Sequence, residues 1–179
     1  MNNLEKKIVC YLNRCQNGYV DDFSAAISSI LFLLVTWTVG VIAILLLDPL
    51  VGVAIATGLA IVFLLNLVVV EIILKKGAKI FSLERLRPYQ AHPKEIHPIG
   101  KNFSDSSFPS SHTASITGGL FVLVYFYPNF LLAALGILAL MSWSRLHNGM
   151  HYPTDILAGV ILGLGYGFVA LEMLNRLLQ

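Results

Sequence analysis

Residues 25–47 read AAISSILFLLVTWTVGVIAILLL, an apolar run without a single charge. About 20 apolar residues of helix cross a bilayer core, so this run reads as a membrane span. It stops at Asp48-Pro49, a tight turn. Residues 50–74 read as a second span with one charge, Glu71, closed by Lys75-Lys76-Gly77. A third span covers residues 111–126, and Tyr127-Pro128-Asn129 turns the chain into a fourth at 130–143. The fifth, at 153–174, carries Gly159, Gly163, Gly165 and Gly167, small residues that let helices approach closely in lipid.

The composition agrees. Of 179 residues, 56% are hydrophobic and 12% charged, with a mean hydropathy of +0.75. Soluble domains rarely carry so little charge. The expected fold is an all-α membrane protein, one domain over residues 1–179 built as a bundle of about five transmembrane helices. The net charge of +2 is small, and no nucleic-acid partner is expected.

Residues 1–22 are too short and too polar to span, with Glu5, Lys6, Lys7, Arg14, Asp21 and Asp22. Nor do they resemble a cleavable signal peptide, which needs an apolar central region. Leu4, Ile8 and Leu12, with Tyr11 and Cys15, fall on one helix face, while Lys6, Lys7, Asn13 and Arg14 fall elsewhere. An amphipathic helix lying on the membrane surface is expected; a disordered terminus is the alternative. Cys10 and Cys15, five residues apart, point in different directions on such a helix and are expected to stay unpaired.

Five spans put the connections 77–110 and 144–152 on the same side of the membrane. The first holds Pro88, Pro93, Pro98, Pro109, His92 and His97, and connections of this length are usually functional. The second opens the run Ser144-Arg145-Leu146-His147-Asn148-Gly149-Met150-His151-Tyr152-Pro153-Thr154-Asp155. Polar residues beside a bilayer are costly and concentrate where function needs them. A guanidinium such as Arg145 clamps a phosphate, an imidazole such as His151 attacks it, and a carboxylate such as Asp155 orients the imidazole. Pro153 suits the first turn of the last helix, which places His151 just before that helix and Asp155 inside it.

Phe108-Pro109-Ser110-Ser111-His112 reads as a helix start with Ser110 as N-cap. Helix N-termini bind anions, and His112 in the first turn is placed to hand a proton to a leaving group. Lys79 and Arg87 add positive charge, with Arg85 as a further basic neighbour. His147, His151 and Asp155 recur every four residues, a spacing that also suits a metal, although Pro153 interrupts the helix such a site needs. Taken singly, Arg145 would be a headgroup anchor and His92 and His97 loop-surface residues. Asn66 and Glu71 would pair with neighbouring helices, and Tyr89, Trp143 and Tyr152 would be interfacial aromatics.

Taken together, these segments resemble the type 2 phosphatidic acid phosphatase family, membrane lipid phosphatases related to vanadium haloperoxidases and glucose-6-phosphatase. The family pattern is Lys-x6-Arg-Pro, then Pro-Ser-Gly-His, then Ser-Arg-x5-His-x3-Asp. Ser144, Arg145, His151 and Asp155 match the third motif fully. Ser111 stands where the second has glycine. Seven residues, one too many, separate Lys79 from Arg87, so Lys76 and Lys75 are alternatives.

The resemblance implies a metal-free, cofactor-free reaction. His151 forms a phosphohistidine, Asp155 holds its tautomer, and His112 protonates the leaving oxygen and then activates water. Lys79, Arg87, Arg145, Ser110 and the backbone N–H of Ser111 bind the phosphate oxygens. The implied substrate is a membrane lipid phosphate or diphosphate: undecaprenyl diphosphate, lipid A 1-phosphate, phosphatidylglycerol phosphate or phosphatidic acid. A bacterial inner-membrane enzyme with no obligatory protein partner is expected. Its Lys and Arg residues, Arg176 excepted, fall on the active-site side, which by the positive-inside rule is cytoplasmic. Phosphate binding accounts for several of them, and the family implies an outward-facing site. The other classes are a haloperoxidase-like or metal-dependent enzyme and a non-enzymatic transporter or assembly protein.

Overall fold

The computed structural model describes residues 3–14 and 17–177. Among these residues every regular element is a helix: α1 (Asn3–Asn13), α2 (Gly18–Ile27), α3 (Ile30–Leu47), α4 (Pro49–Asn66), a π-helical stretch (Leu67–Lys76), α5 (Gly77–Ile80), α6 (Pro88–Ala91), α7 (Ser111–Phe126), a 3₁₀ turn (Pro128–Phe130), α8 (Leu131–His147) and α9 (Pro153–Leu177). Four helices are long and apolar enough to cross a membrane: Ile30–Leu47, Pro49–Ile80, Pro128–His147 and Pro153–Leu177. The remaining apolar helix, α7, is shorter at 16 residues.

Three expected spans differ from the observed helices. The fourth runs past 143 to His147, so Ser144, Arg145 and His147 lie in the last turn of α8 and not in the connection after it. The other two differ at a break and at an end. The 25–47 run is broken at Ser28-Ser29, because Ser24 and Ser28 face inward. Ser24 Oγ donates to Asn148 Oδ1 at 2.7 Å, and Asn148 Nδ2 donates to Ser28 Oγ at 2.9 Å. Ser29 then caps α3 by accepting from the Phe32 N–H at 3.1 Å. The second helix does not stop at 74 but continues through the π-helical stretch to Ile80. On an α-helix, residues five apart point about 140° from one another. The wider π turns, which bond i to i+5, let Val70 and Lys75 face inward together. Lys75 is thereby carried to the site.

The N-terminal helix forms, and it docks on the rest of the protein through the face opposite Leu4 and Tyr11. Its buried residues are Glu5, Val9, Cys10 and Asn13, while Leu4 and Tyr11 are exposed. The reason is polar satisfaction: α1 docks on backbone groups that need partners. Asn13 Nδ2 donates to the carbonyls of His97 (2.9 Å) and His147 (2.7 Å), and its Oδ1 accepts from the His97 N–H at 2.9 Å. Cys10 is a free buried thiol; Cys15 lies outside the described residues.

Helix α7 sits among α4, α8 and α9, and glycines set how closely α9 approaches it. A Cβ on Gly159 would stand 2.7 Å from the Ser110 carbonyl oxygen, and one on Gly167 2.6 Å from the Phe121 ring. A Cβ on Gly163 would collide with the Ala114 carbonyl oxygen and stand 2.6 Å from Thr117 Cβ. These three positions, four apart, form one small-residue stripe, whereas Gly165 faces open space. Below the stripe Val62, Val122, Tyr166, Ala170 and Leu174 pack as one core cluster. Above it, the Ser110 N–H donates to the Asp155 carbonyl at 3.1 Å. The close approach therefore joins the start of α7 to the start of α9, where the second and third sequence motifs lie.

Candidate active site

A cavity of about 680 Å³ opens between α3, the upper part of the second helix, the 101–105 loop and α7. One wall is apolar, with Leu33, Leu34, Trp37, Phe63 and Ile116. The opposite wall carries Lys75, Arg87 and Arg145, with His112 and His151 between them.

His151 is buried in the connection between α8 and α9. Its Nδ1 lies 2.7 Å from the Ser107 carbonyl oxygen. A carbonyl only accepts, so Nδ1 carries the proton and Nε2 presents its lone pair. Nε2 faces Arg87 Nη1 at 3.4 Å and Arg145 Nη2 at 3.5 Å. Burial first, then the Arg145 and Arg87 charges, hold this imidazole well below the ordinary histidine range. The ring is neutral at pH 7, and its free nitrogen points at two anion-binding groups.

Asp155 is placed differently from expectation. Its Oδ2 is 3.8 Å from His151 Nδ1, too far for a direct hydrogen bond. The carboxylate instead accepts from the Tyr152 N–H at 2.8 Å and from Arg85 Nη1 at 2.6 Å. The tautomer of His151 is set by Ser107, not by Asp155. Tyr152, expected as an interfacial aromatic, is buried under the Arg85 guanidinium at 4.3 Å.

Two of the three cations, Arg87 and Lys75, are held by carboxylates and backbone carbonyls. Arg87 Nη2 donates to Asp105 Oδ1 at 2.7 Å, its Nε to the Asp105 carbonyl at 3.2 Å and its Nη1 to the Met150 carbonyl at 3.2 Å. Lys75 Nζ donates to Asp105 Oδ2 at 2.6 Å and to Glu71 Oε1 at 3.0 Å. Burial alone would raise the Asp105 carboxyl, but the Lys75 ammonium and the Arg87 guanidinium outweigh it and lower it to about 2. Arg145 Nε is buried without a protein partner, as is His112 Nε2, so both have capacity left for a ligand.

Not every expected phosphate-binding residue reaches the cavity. Lys79 is exposed on α5 and lines no part of it; Lys75 occupies the place expected of Lys79. Ser110 is fully buried behind the cavity as the α7 cap, its Oγ 2.9 Å from Thr113 Oγ1 and accepting from the Thr113 N–H. Ser111 does line the cavity, its Oγ accepting from Asn66 Nδ2 at 2.7 Å. His147 faces away from His151: Nδ1 meets the Leu12 carbonyl at 2.9 Å and Nε2 meets Asp21 Oδ1 at 2.8 Å.

Sequence reasoning missed Asp105 and Ser107. Asp105 had one signal, as the sole acid between Glu95 and Asp155, because buried cations require a counter-charge. Ser107 acts through its backbone and left none.

Comparison with known proteins gives a concordant set of likenesses. The PAP2 superfamily model matches residues 51–178. An undecaprenyl-diphosphatase of Sulfolobus acidocaldarius is 30% identical over 108 residues, 59% of this chain and 50% of that protein. A lipid A 4'-phosphatase of Bacteroides thetaiotaomicron is 34% identical over 85 residues, 44% of this chain and 37% of that protein. The chain thus spans half or less of the length of these curated relatives. The crystal structure of Aquifex aeolicus LpxE aligns with a TM-score of 0.71 at 19% identity, covering 93% of both chains. A phosphatidylglycerolphosphate phosphatase of Bacillus subtilis aligns with a TM-score of 0.68 at 21% identity, covering 97% of this chain and 85% of that one. At these identities the two structures establish the fold.

Proposed function

The chain belongs to the PAP2 superfamily, and on that premise we propose that it hydrolyses the phosphate monoester or diphosphate of a membrane lipid through a phosphohistidine on His151. The observation that carries this reading is the state of His151: neutral, its Nδ1–H bonded to Ser107, its Nε2 lone pair facing two guanidiniums across a cavity with one apolar wall.

The lipid chain lies along Leu33, Trp37 and Ile116, and the headgroup meets the basic wall. Arg87, Arg145 and Lys75 bind the non-bridging oxygens, most strongly as charge builds at phosphorus. Nε2 of His151 attacks phosphorus in line, forming an N–P bond as the bond to the leaving oxygen breaks. His112 gives that oxygen its proton. Water then attacks the phosphohistidine, giving a proton back to His112, and the N–P bond breaks to release phosphate. Asp155, 3.8 Å from the ring, compensates the positive charge of the phosphorylated imidazole.

The relatives named above act on undecaprenyl diphosphate and lipid A, which favours an envelope lipid as substrate here. The setting that suits it is a bacterial inner membrane with the site facing outward. The test is phosphate release by the detergent-purified chain, with and without EDTA, from undecaprenyl diphosphate, lipid A, phosphatidylglycerol phosphate and phosphatidic acid. Release that survives EDTA and vanishes in His151→Ala is expected. No release from any lipid, or equal release by the variant, overturns the reading.

A further inference from the structure

Beneath His151, on the side away from the cavity, lies a chain of charges of which the reaction as described uses only Asp155. Arg85 Nη1 donates to Asp155 Oδ1 at 2.6 Å and Nη2 donates to Glu5 Oε2 at 2.9 Å. Glu5 Oε1 accepts from the Thr154 hydroxyl at 2.5 Å and from the Thr154 N–H at 3.2 Å. Arg85 Nη1 also reaches Thr154 Oγ1 at 2.7 Å, and the guanidinium stacks on Tyr152. Glu5 is 8% exposed, although it belongs to a helix at the protein surface. Burial opposes its ionisation, but the Thr154 hydrogen bonds and Arg85 outweigh that and hold its carboxyl below the ordinary range.

We propose that Glu5 and Arg85 are positioning residues for Asp155, through which α1 supplies a negative charge that the reaction at His151 requires.

The argument is one of charge. Arg85 fixes the orientation of Asp155, but its positive charge also cancels the carboxylate next to His151. With Arg85 and Asp155 alone the group is neutral. The phosphorylated imidazole would then have no net negative charge on the side away from the cavity, since Asp105 is already engaged by Arg87 and Lys75. Glu5 restores one negative charge to the group. It does so by pairing with Arg85 across 80 positions of sequence, which requires α1 to be docked. This inference rests on the phosphatase reading above and adds to it a requirement for the N-terminal helix. The effect belongs to the step in which charge develops at His151, so it appears in kcat and not in KM.

The test uses the full chain in lipid nanodiscs and measures kcat and KM for the fastest lipid. Glu5→Gln keeps the shape and removes the charge. It is expected to lower kcat by about tenfold, the scale of one charge-assisted hydrogen bond, with KM within about twofold. Arg85→Gln is expected to lower kcat at least as much, with Arg85→Lys recovering part of the loss. Lys6→Gln, which breaks the neighbouring Lys6–Glu95 pair (2.6 Å) on the same helix, is expected to leave both constants unchanged. A wild-type chain inert on every lipid removes the phosphatase reading and this inference with it. An active wild type with unchanged kcat in Glu5→Gln removes this inference alone. So does a loss equal in Glu5→Gln and Lys6→Gln, since that reports only helix docking.

Discussion

The Nδ1 of His151 lies 2.7 Å from the Ser107 carbonyl oxygen and 3.8 Å from the Asp155 carboxylate. The two partners therefore divide a task that one carboxylate performs in a serine-protease triad. Ser107 fixes which nitrogen carries the proton, and Asp155 supplies charge at a distance.

This division makes the two side chains unequal. His151→Ala removes the proposed nucleophile and is expected to lower kcat by about 10⁴-fold or more. Asp155→Asn leaves the tautomer in the hands of Ser107 and loses only charge compensation, so about 10²–10³-fold is expected. Steady-state phosphate release measures both; equal losses would mean that Asp155 sets the tautomer after all.

The π-helical stretch puts Lys75, and not Lys79, on the cavity wall. Lys75→Ala removes a cation from the cavity wall and leaves Asp105 to Arg87 alone, and about a 10²-fold loss in kcat/KM is expected. Lys79→Ala alters an exposed side chain outside the cavity and is expected to stay within about twofold. The reverse ranking would restore the spacing argument from sequence.

The charge environment of His151 fixes a pH dependence. Because burial, Arg145 and Arg87 hold its folded pKa well below 6.5, the nucleophile stays neutral as pH falls through 6.5. The acid limb of kcat/KM is expected well below that value. Arg145→Gln removes one of the repelling charges and is expected to move the limb upward, toward 6.5. The same shift has a stability consequence. The unfolded chain takes up this proton at about 6.5 while the folded chain does not, so stability declines as pH drops below 6.5. Profiles of kcat/KM for the two proteins check the limb.

Gly163 tests the packing that brings the motifs together. An added Cβ meets the backbone of α7, the Ala114 carbonyl above all, and backbone cannot swing aside as a side chain end can. Gly163→Ala is expected to lower stability by about 1–3 kcal/mol, whereas Gly165→Ala, facing open space, is expected to be neutral. Thermal unfolding in detergent compares them.

Much of this was legible in the sequence because hydropathy and motif spacing are local signals. The uncharged run up to Leu47, the Asp48-Pro49 turn and the start of α9 at Pro153 could be read directly. What escaped depends on geometry that no local pattern records. The π turns that rotate Lys75 inward leave no pattern in the sequence. The break at Ser28-Ser29 answers to Asn148, far along the chain. The docking face of α1 mixes Val9 and Cys10 with Glu5 and Asn13, whose partners are carbonyls and Arg85 far along the chain, so no local pattern marks it. The Ser107 carbonyl belongs to the backbone and is the same for any residue at that position.

The central claim is that His151 is the nucleophile, and the most direct measurement is rapid acid-free quenching during turnover of a lipid labelled in its phosphate. The account predicts labelled protein at early times, with the phosphoryl group on the peptide containing His151, labile in acid and absent from His151→Ala. Turnover without labelled protein at any time, or label unchanged in His151→Ala, would contradict it.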